Sequence, residues 1–120
     1  MKNFNYEEMF YNALCNGLGE LSMYGLQLEL DNEEYKRAKA NLDNPCYEDI
    51  LMAILRSGGT LVVLDEEDEN SRYEITLEDV HERVPNAPKW AIAQMINEED
   101  DATTADVILQ TVFLNEVIFG

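Results

Sequence analysis

"TLVVLDEEDENSRYEITL", residues 60–77, decides the architecture. Its first run, Leu61 to Leu64, is too short and too β-branched for a helix, and reads as a strand with both faces at least partly covered. The second, "RYEITL", pairs with it most simply as a hairpin, leaving the five consecutive acids Asp65 to Glu69 as the connecting loop. Thr76 and Asp79 then stand at capping-box spacing and open a short helix through about Val84, which the Pro85–Pro88 region ends.

Working toward the N-terminus, Gly58 and Gly59 stop a strongly amphipathic helix whose apolar stripe is Tyr47, Ile50, Leu51, Ile54 and Leu55. Asn44 is expected to cap that helix, with Pro45 at its first position, where a missing N–H costs little. Asp31 and Glu34 repeat the box spacing before a more polar helix carrying Tyr35, Ala38 and Leu42. "GLQLEL" alternates Leu26, Leu28 and Leu30 with polar residues and favours a strand, although a helical reading of 20–30 stays open. Asn5 with Glu8 forms another box, with Phe4 and Met9 at staple positions, and starts a helix from about Tyr6 to Asn16 that Gly17 and Gly19 should weaken.

Toward the C-terminus, "KWAIAQMI" is a helix holding Trp90, Ile92, Met95 and Ile96. "NEEDDATT" breaks it, and Thr103 with Asp106 is expected to start a last helix facing Ile108, Leu109, Val112 and Phe113 inward. "EVIFG" is left as a short docked end. With neither an internal repeat nor a Gly/Ser linker, residues 1–120 form one small α+β domain. It is mostly helical around a β-hairpin, extended to a three-stranded antiparallel sheet if residues 26–30 join it.

Charge is the unusual property. The 120 residues hold 25 acids against 8 bases, a formal net charge of −17, with 46 % hydrophobic residues to build a core. That balance disfavours nucleic acid and anionic membranes as direct partners and favours basic surfaces. Residues 1–44 carry 8 acids and 4 bases, residues 45–120 carry 17 and 4, and no lysine or arginine follows Lys89, so an acidic face is expected. A domain this size is roughly 35 Å across, and duplex DNA of that length bears about 20 charges, a similar number.

Catalytic signals are missing. Counted from Asp65, an EF-hand loop would need glycine sixth and glutamate twelfth, and the chain has Asn70 and Thr76 there. Cys15 and Cys46 form no CxxC pair and read as buried free thiols; the single His81 has no second ligand at metal spacing. "SGGT" lies between a helix and a strand, the reverse of a phosphate-binding order. The helices at about 77–84 and 88–97 resemble a helix-turn-helix in spacing, but the second offers only Lys89 before four acids. No enzyme activity, metal or cofactor is expected. "MKNFNYEEMF" lacks a secretory core and the apolar tail is too short to span a bilayer, so a cytoplasmic protein is expected.

The tail "INEEDDATTADVILQTVFLNEVIFG" and "YEITLEDVHERV" resemble the small acidic accessory proteins of bacteriophages and mobile elements, among them DNA mimics that block restriction, CRISPR or repair nucleases. The resemblance is one of character over the last half of the chain. It implies a phage-encoded, non-enzymatic inhibitor of a basic nucleic-acid-binding host protein. Expected contacts are Asp65, Glu66, Glu67, Asp68, Glu69, Glu98, Glu99, Asp100 and Asp101. Glu74, Glu78 and Asp79 extend the face if the hairpin and the next helix lie side by side. The alternative is a structural or assembly subunit in which "VILQTVFLNEVIFG" joins an identical copy or a larger particle.

Overall fold

A computed structural model describes residues 5–119, and for Glu69 the backbone alone. The chain is α+β, with a three-stranded antiparallel sheet and six α-helices among the described residues. The first helix, α1 (Tyr6–Met23), is capped by Asn5, whose Oδ1 accepts from the Glu8 N–H at 3.0 Å. The Phe4–Met9 staple lies outside the described residues.

α1 runs seven residues beyond the expected end at Asn16, straight through Gly17 and Gly19. Packing overrides propensity at Gly17: a Cβ there would stand 2.9 Å from the Ala105 Cβ and 3.0 Å from its carbonyl carbon, so the glycine lets two helices touch. Gly25, at φ +83°, then turns the chain into β1 (Leu26–Glu29). The ambiguous 20–30 stretch is therefore helix to Met23 and strand after it.

β1 is followed by α2 (Asn32–Ala40), α3 (Tyr47–Arg56), β2 (Leu61–Asp65) and β3 (Asp68–Ile75), in sheet order β1-β2-β3. Leu28, Val63 and Tyr73 align across the inner face; Glu29, Val62 and Glu74 align across the outer one. Arg72 bonds both Glu29 and Glu74 on that outer face, at 2.9 and 3.0 Å, flanking Val62. β2 is covered on both faces, as its apolar run requires: Leu61, Val62 and Val63 are all buried.

The acidic run is not a loop. Asp65 ends β2, Glu66 and Glu67 alone form the turn, and Asp68 and Glu69 begin β3. Register slips beside the turn, Leu64 facing Arg72 while Asp65 faces Asp68. Two like charges opposite each other weaken regular pairing, and a bulge here keeps the hydrophobic register intact farther down.

Helix α3 departs from expectation at its start. Cys46, not Asn44, is the cap, and its N–H donates to Asp49 Oδ2 at 3.1 Å. Asn44 sits before the helix at φ +48°. The stop is as expected: Gly58, at φ +91°, donates to Leu55 O and Gly59 to Ile54 O, which together satisfy the last carbonyls.

Next come α4 (Leu77–Arg83), a 3-10 turn (Val84–Asn86), α5 (Lys89–Ile96) and α6 (Ala102–Leu114). Thr76 and Asp79 make the expected box on α4. α6 begins earlier than the Thr103–Asp106 spacing implied, because Asp101 accepts from the Thr104 N–H at 3.0 Å and Thr104 returns the bond. Every residue from Thr104 to Leu114 is buried, so α6 is the central helix rather than a surface one with a single inward stripe. Phe10 of α1 meets Phe113 of α6 at 5.9 Å.

Three burial expectations are corrected. Trp90 is 47 % exposed, since α5 buries Ala91 and Met95 instead. Leu42 falls just past α2 and is exposed. Cys15 and Cys46 are both free and both exposed, not buried.

Candidate functional site

Antiparallel packing of α1 against α6 decides where the acids gather. Tyr24, at the C-terminal end of α1, donates its hydroxyl to Asp106 in the second turn of α6 at 2.7 Å. The next residue, Gly25, accepts at 2.8 Å from the N–H of Glu66 in the hairpin turn, and Leu26 faces Asp65. The hairpin turn and the start of α6 are thus both tied to the C-terminal end of α1. The loop before α6 carries Glu98, Glu99, Asp100 and Asp101. Both acidic runs, 65–69 and 98–101, therefore adjoin segments tied to the C-terminal end of α1, the end called the acidic pole below.

The extension through Glu74, Glu78 and Asp79 does not join this pole. β3 carries the chain away from the turn by seven residue steps, roughly 20 Å at strand rise, before α4 starts. α4 lies instead at the other end, where His81 approaches Glu7 at 3.8 Å and Arg83 donates to the Val112 carbonyl near the α6 terminus at 2.8 Å. Glu74 is bound to Arg72 on the outer sheet face, and Asp79 is shared between Thr76 and Arg83.

Within the pole the acids divide by role. Asp65 Oδ1 accepts from the Glu67 N–H at 2.9 Å and Asp68 Oδ1 from Asn70 at 3.1 Å, each an Asx turn; Ser71 adds a bond to Asp68 Oδ2. Asp101 is the α6 cap. Hydrogen bonds to the ionised form hold Asp68 (Ser71 first, then the Asn70 N–H) and Asp101 (the Thr104 N–H first) below the usual carboxylate range. Glu66, Glu67, Glu98 and Glu99 are exposed, Asp100 is half-buried, and none has an ion pair among the described residues.

Among the described residues most cations lie on helices or are already paired, and Arg72, although it faces Leu64 beside the hairpin turn, is turned to the outer sheet face. Lys36, Arg37 and Lys39 lie on α2 and Arg56 ends α3, while Arg72 is turned to Glu29 and Glu74 and Arg83 to α6. No group of three or more His, Cys, Asp or Glu side chains is arranged to hold a metal among the described residues. No helix among them is long and apolar enough to cross a membrane.

Sequence reasoning missed two polar clusters. Asp106 and Gln110 are buried in α6; Gln110 bonds Asp106 and both the N–H and the carbonyl of Phe119, and accepts from Ile118 N–H at 2.8 Å, while the Phe119 ring stacks on Tyr24 at 4.7 Å. This is what docks the chain end. The second cluster joins α1 to α3: the Tyr11 hydroxyl donates to Asp49 Oδ1 at 2.9 Å and lies 3.6 Å from the Cys46 sulfur. Beside it opens a cleft of about 490 Å³ between α1 and the α2–α3 connection, with Tyr11 and Asp49 in its wall. Only the polar residues at helical spacing, Asp106 and Gln110, hinted at the first.

No protein-family model, curated protein or solved structure matches the chain.

Proposed function

We propose that the chain is a non-enzymatic interaction protein whose acidic pole docks on the basic surface of a nucleic-acid-binding protein, occupying the place of a phosphate backbone. The observation that carries this reading is that the segments bearing both acidic runs are tied to the same end of α1, with four of their glutamates exposed and outside any ion pair among the described residues. The long dimension of the molecule, 38 Å, corresponds to a stretch of duplex with about 22 phosphates at one per ~1.7 Å, against a net charge of −17. Opposite charge would speed encounter and make binding salt-sensitive. The likeness to phage-borne inhibitors suggests a restriction or CRISPR nuclease, or another defence protein, as the partner, met in the host cytoplasm.

Self-association through the apolar tail has less behind it. Residues 104–114 are consumed by the chain's own core, which leaves Val117 and Ile118 as the exposed apolar side chains of that segment.

A low-salt pull-down from bacterial lysate, eluted by salt, identifies the partner. Reversing Glu66, Glu67, Glu98 and Glu99 to lysine should lower its association rate about 10-fold or more, while reversing Glu78 and Glu82 at the other end should not. Binding that is indifferent to salt, or equal loss from both sets, rules out the acidic pole as the docking surface.

A further inference from the structure

We propose that the cleft between α2 and the C-terminal end of α3 binds a small organic phosphomonoester, with Arg37 and Arg56 as the two groups that hold the phosphate. The cleft encloses about 590 Å³, within the size range of small-molecule sites. Arg37 reaches it from α2 and Arg56 from the last residue of α3. Neither guanidinium is in an ion pair among the described residues, although the chain holds 25 acids, whereas Arg72 and Arg83 are both engaged. Arg56 also borders the cleft beside Tyr11 and Asp49, without pairing there. A cation in the last turn of a helix is favoured by the carbonyl end it faces. That accounts for each arginine on its own helix, but not for the two opening on one cleft. Among the described residues Glu34 is the only carboxylate in its wall, so two cations less one anion leave a local balance of +1 on a chain of net −17.

The chemistry of the wall selects the ligand. A guanidinium presents a fork of N–H donors that matches two oxygens of one anion. A carboxylate offers two oxygens and one charge, whereas a phosphomonoester, with three terminal oxygens and a charge of about −1.5 to −2 at pH 7, can face two arginines at once. The rest of the wall suits an organic body. Ala38, Leu42 and Ala53 are apolar. Asn41 spends its amide N–H on the Arg37 carbonyl at 3.2 Å, which leaves its Oδ1 to accept from a ligand hydroxyl or amino group. Glu34 is a second acceptor, lodged against the glycine turn: a Cβ on Gly59 would collide with its carboxylate and stand 2.9 Å from Ile54 Cγ2. A phosphate at the arginines, a carbon frame on the apolar residues and a donor toward Asn41 or Glu34 describe a nucleoside or sugar monophosphate. The site does not depend on the partner proposed for the acidic pole.

Amide-resolved NMR of the full chain reads the site residue by residue. The probes are adenosine monophosphate and glucose 6-phosphate, with adenosine, glucose and inorganic phosphate as controls. At least one monophosphate should shift the amides of Arg37, Asn41, Ser57 and Gly58 saturably, with Kd of about 1 mM or tighter; which of the two binds distinguishes a nucleotide from a sugar phosphate. Arg37→Gln and Arg56→Gln should each weaken binding about 10-fold or more. Arg37→Lys should weaken it nearly as much, because an ammonium cannot form the fork, and Lys89→Gln should leave it unchanged. Both arginines are exposed, so the variants should keep the dispersed spectrum of the folded chain. No saturable shift from either monophosphate, shifts centred elsewhere, unchanged affinity in the two glutamine variants, or a control binding as tightly as the monophosphates each overturn the proposal.

Discussion

Replacing Gly17 and Gly19 by alanine, one at a time, should change stability in opposite directions although the sites are two residues apart on one helix. In a helix interior, alanine is favoured over glycine by about 0.5–1 kcal/mol, because glycine loses more backbone freedom on folding. Gly19 has nothing within 4 Å of a built Cβ, so Gly19→Ala should gain roughly that amount. At Gly17 the new methyl meets the Ala105 Cβ at 2.9 Å, the Ala105 carbonyl carbon at 3.0 Å and Leu109 Cδ1 at 3.0 Å. The first two belong to the buried central helix and cannot swing aside as a flexible side chain would. Forcing an extra methyl into such a contact costs about 1–3 kcal/mol, which outweighs the propensity gain and leaves Gly17→Ala about 1–2 kcal/mol less stable. In a chain of this size that lowers Tm by about 5 °C. Urea unfolding followed by circular dichroism reads both variants, and unchanged m-values would show that stability changed with no change in the surface exposed on unfolding. Ala105→Gly should restore part of the Gly17→Ala loss, as coupled neighbours do. If Gly17→Ala stabilises as much as Gly19→Ala, the α1–α6 contact is not as close as described, and the reason given for α1 running past Asn16 fails with it.

Gln110→Ala removes the side chain that holds the chain end through Ile118 and Phe119 and that also bonds Asp106. It should cost about 2–3 kcal/mol and leave the amides of Ile118 and Phe119 exchanging with solvent at unprotected rates; protection unchanged by the substitution would show that Gln110 is not the latch. Tyr24 should titrate late: the bond to Asp106 first, then burial, raise its phenol from 10.0 to about 12. Because the native state holds the neutral phenol more strongly than the unfolded chain does, this stability is fully present below pH 10 and is lost as pH rises toward 12. Ultraviolet titration of the wild type against Tyr24→Phe checks it, and ionisation of every tyrosine near pH 10 would contradict the bond.

Much of the fold was legible because local signals agreed with one another. The hairpin, the α4 box at Thr76 and Asp79, and the glycine stop after α3 each combine a pattern with a cap or turn chemistry that has one physical solution. What escaped was set by partners remote in sequence. Gly17 reads as a weak point until Ala105 is beside it, and Trp90 reads as core until α5 is seen to bury Ala91 instead. Asp106 and Gln110 looked like interruptions of an apolar tail, whereas they are the polar groups that let a wholly buried helix fasten the chain end. Antiparallel packing of α1 on α6 ties the segments bearing both acidic runs to one end of α1, and no periodicity within either run encodes that.

The acidic run that raised the functional question contains two kinds of carboxylate, and their lengths tell them apart. Among the described residues, carboxylates that accept from backbone N–H groups are all aspartates: Asp31, Asp49, Asp65, Asp68, Asp79 and Asp101. A one-methylene side chain reaches the backbone two or three residues away with little lost freedom, whereas glutamate must fold back on itself to do the same. Glu66, Glu67, Glu98 and Glu99 therefore project from the pole, while Asp65, Asp68 and Asp101 shape the turn and the cap that present them. Folding contacts fall to the aspartates and leave the neighbouring glutamates free, so a charge-reversal test of the proposed docking surface must be made on the glutamates. Reversing the aspartates would unseat the turn and the start of α6 together, and any loss of binding would then report the fold.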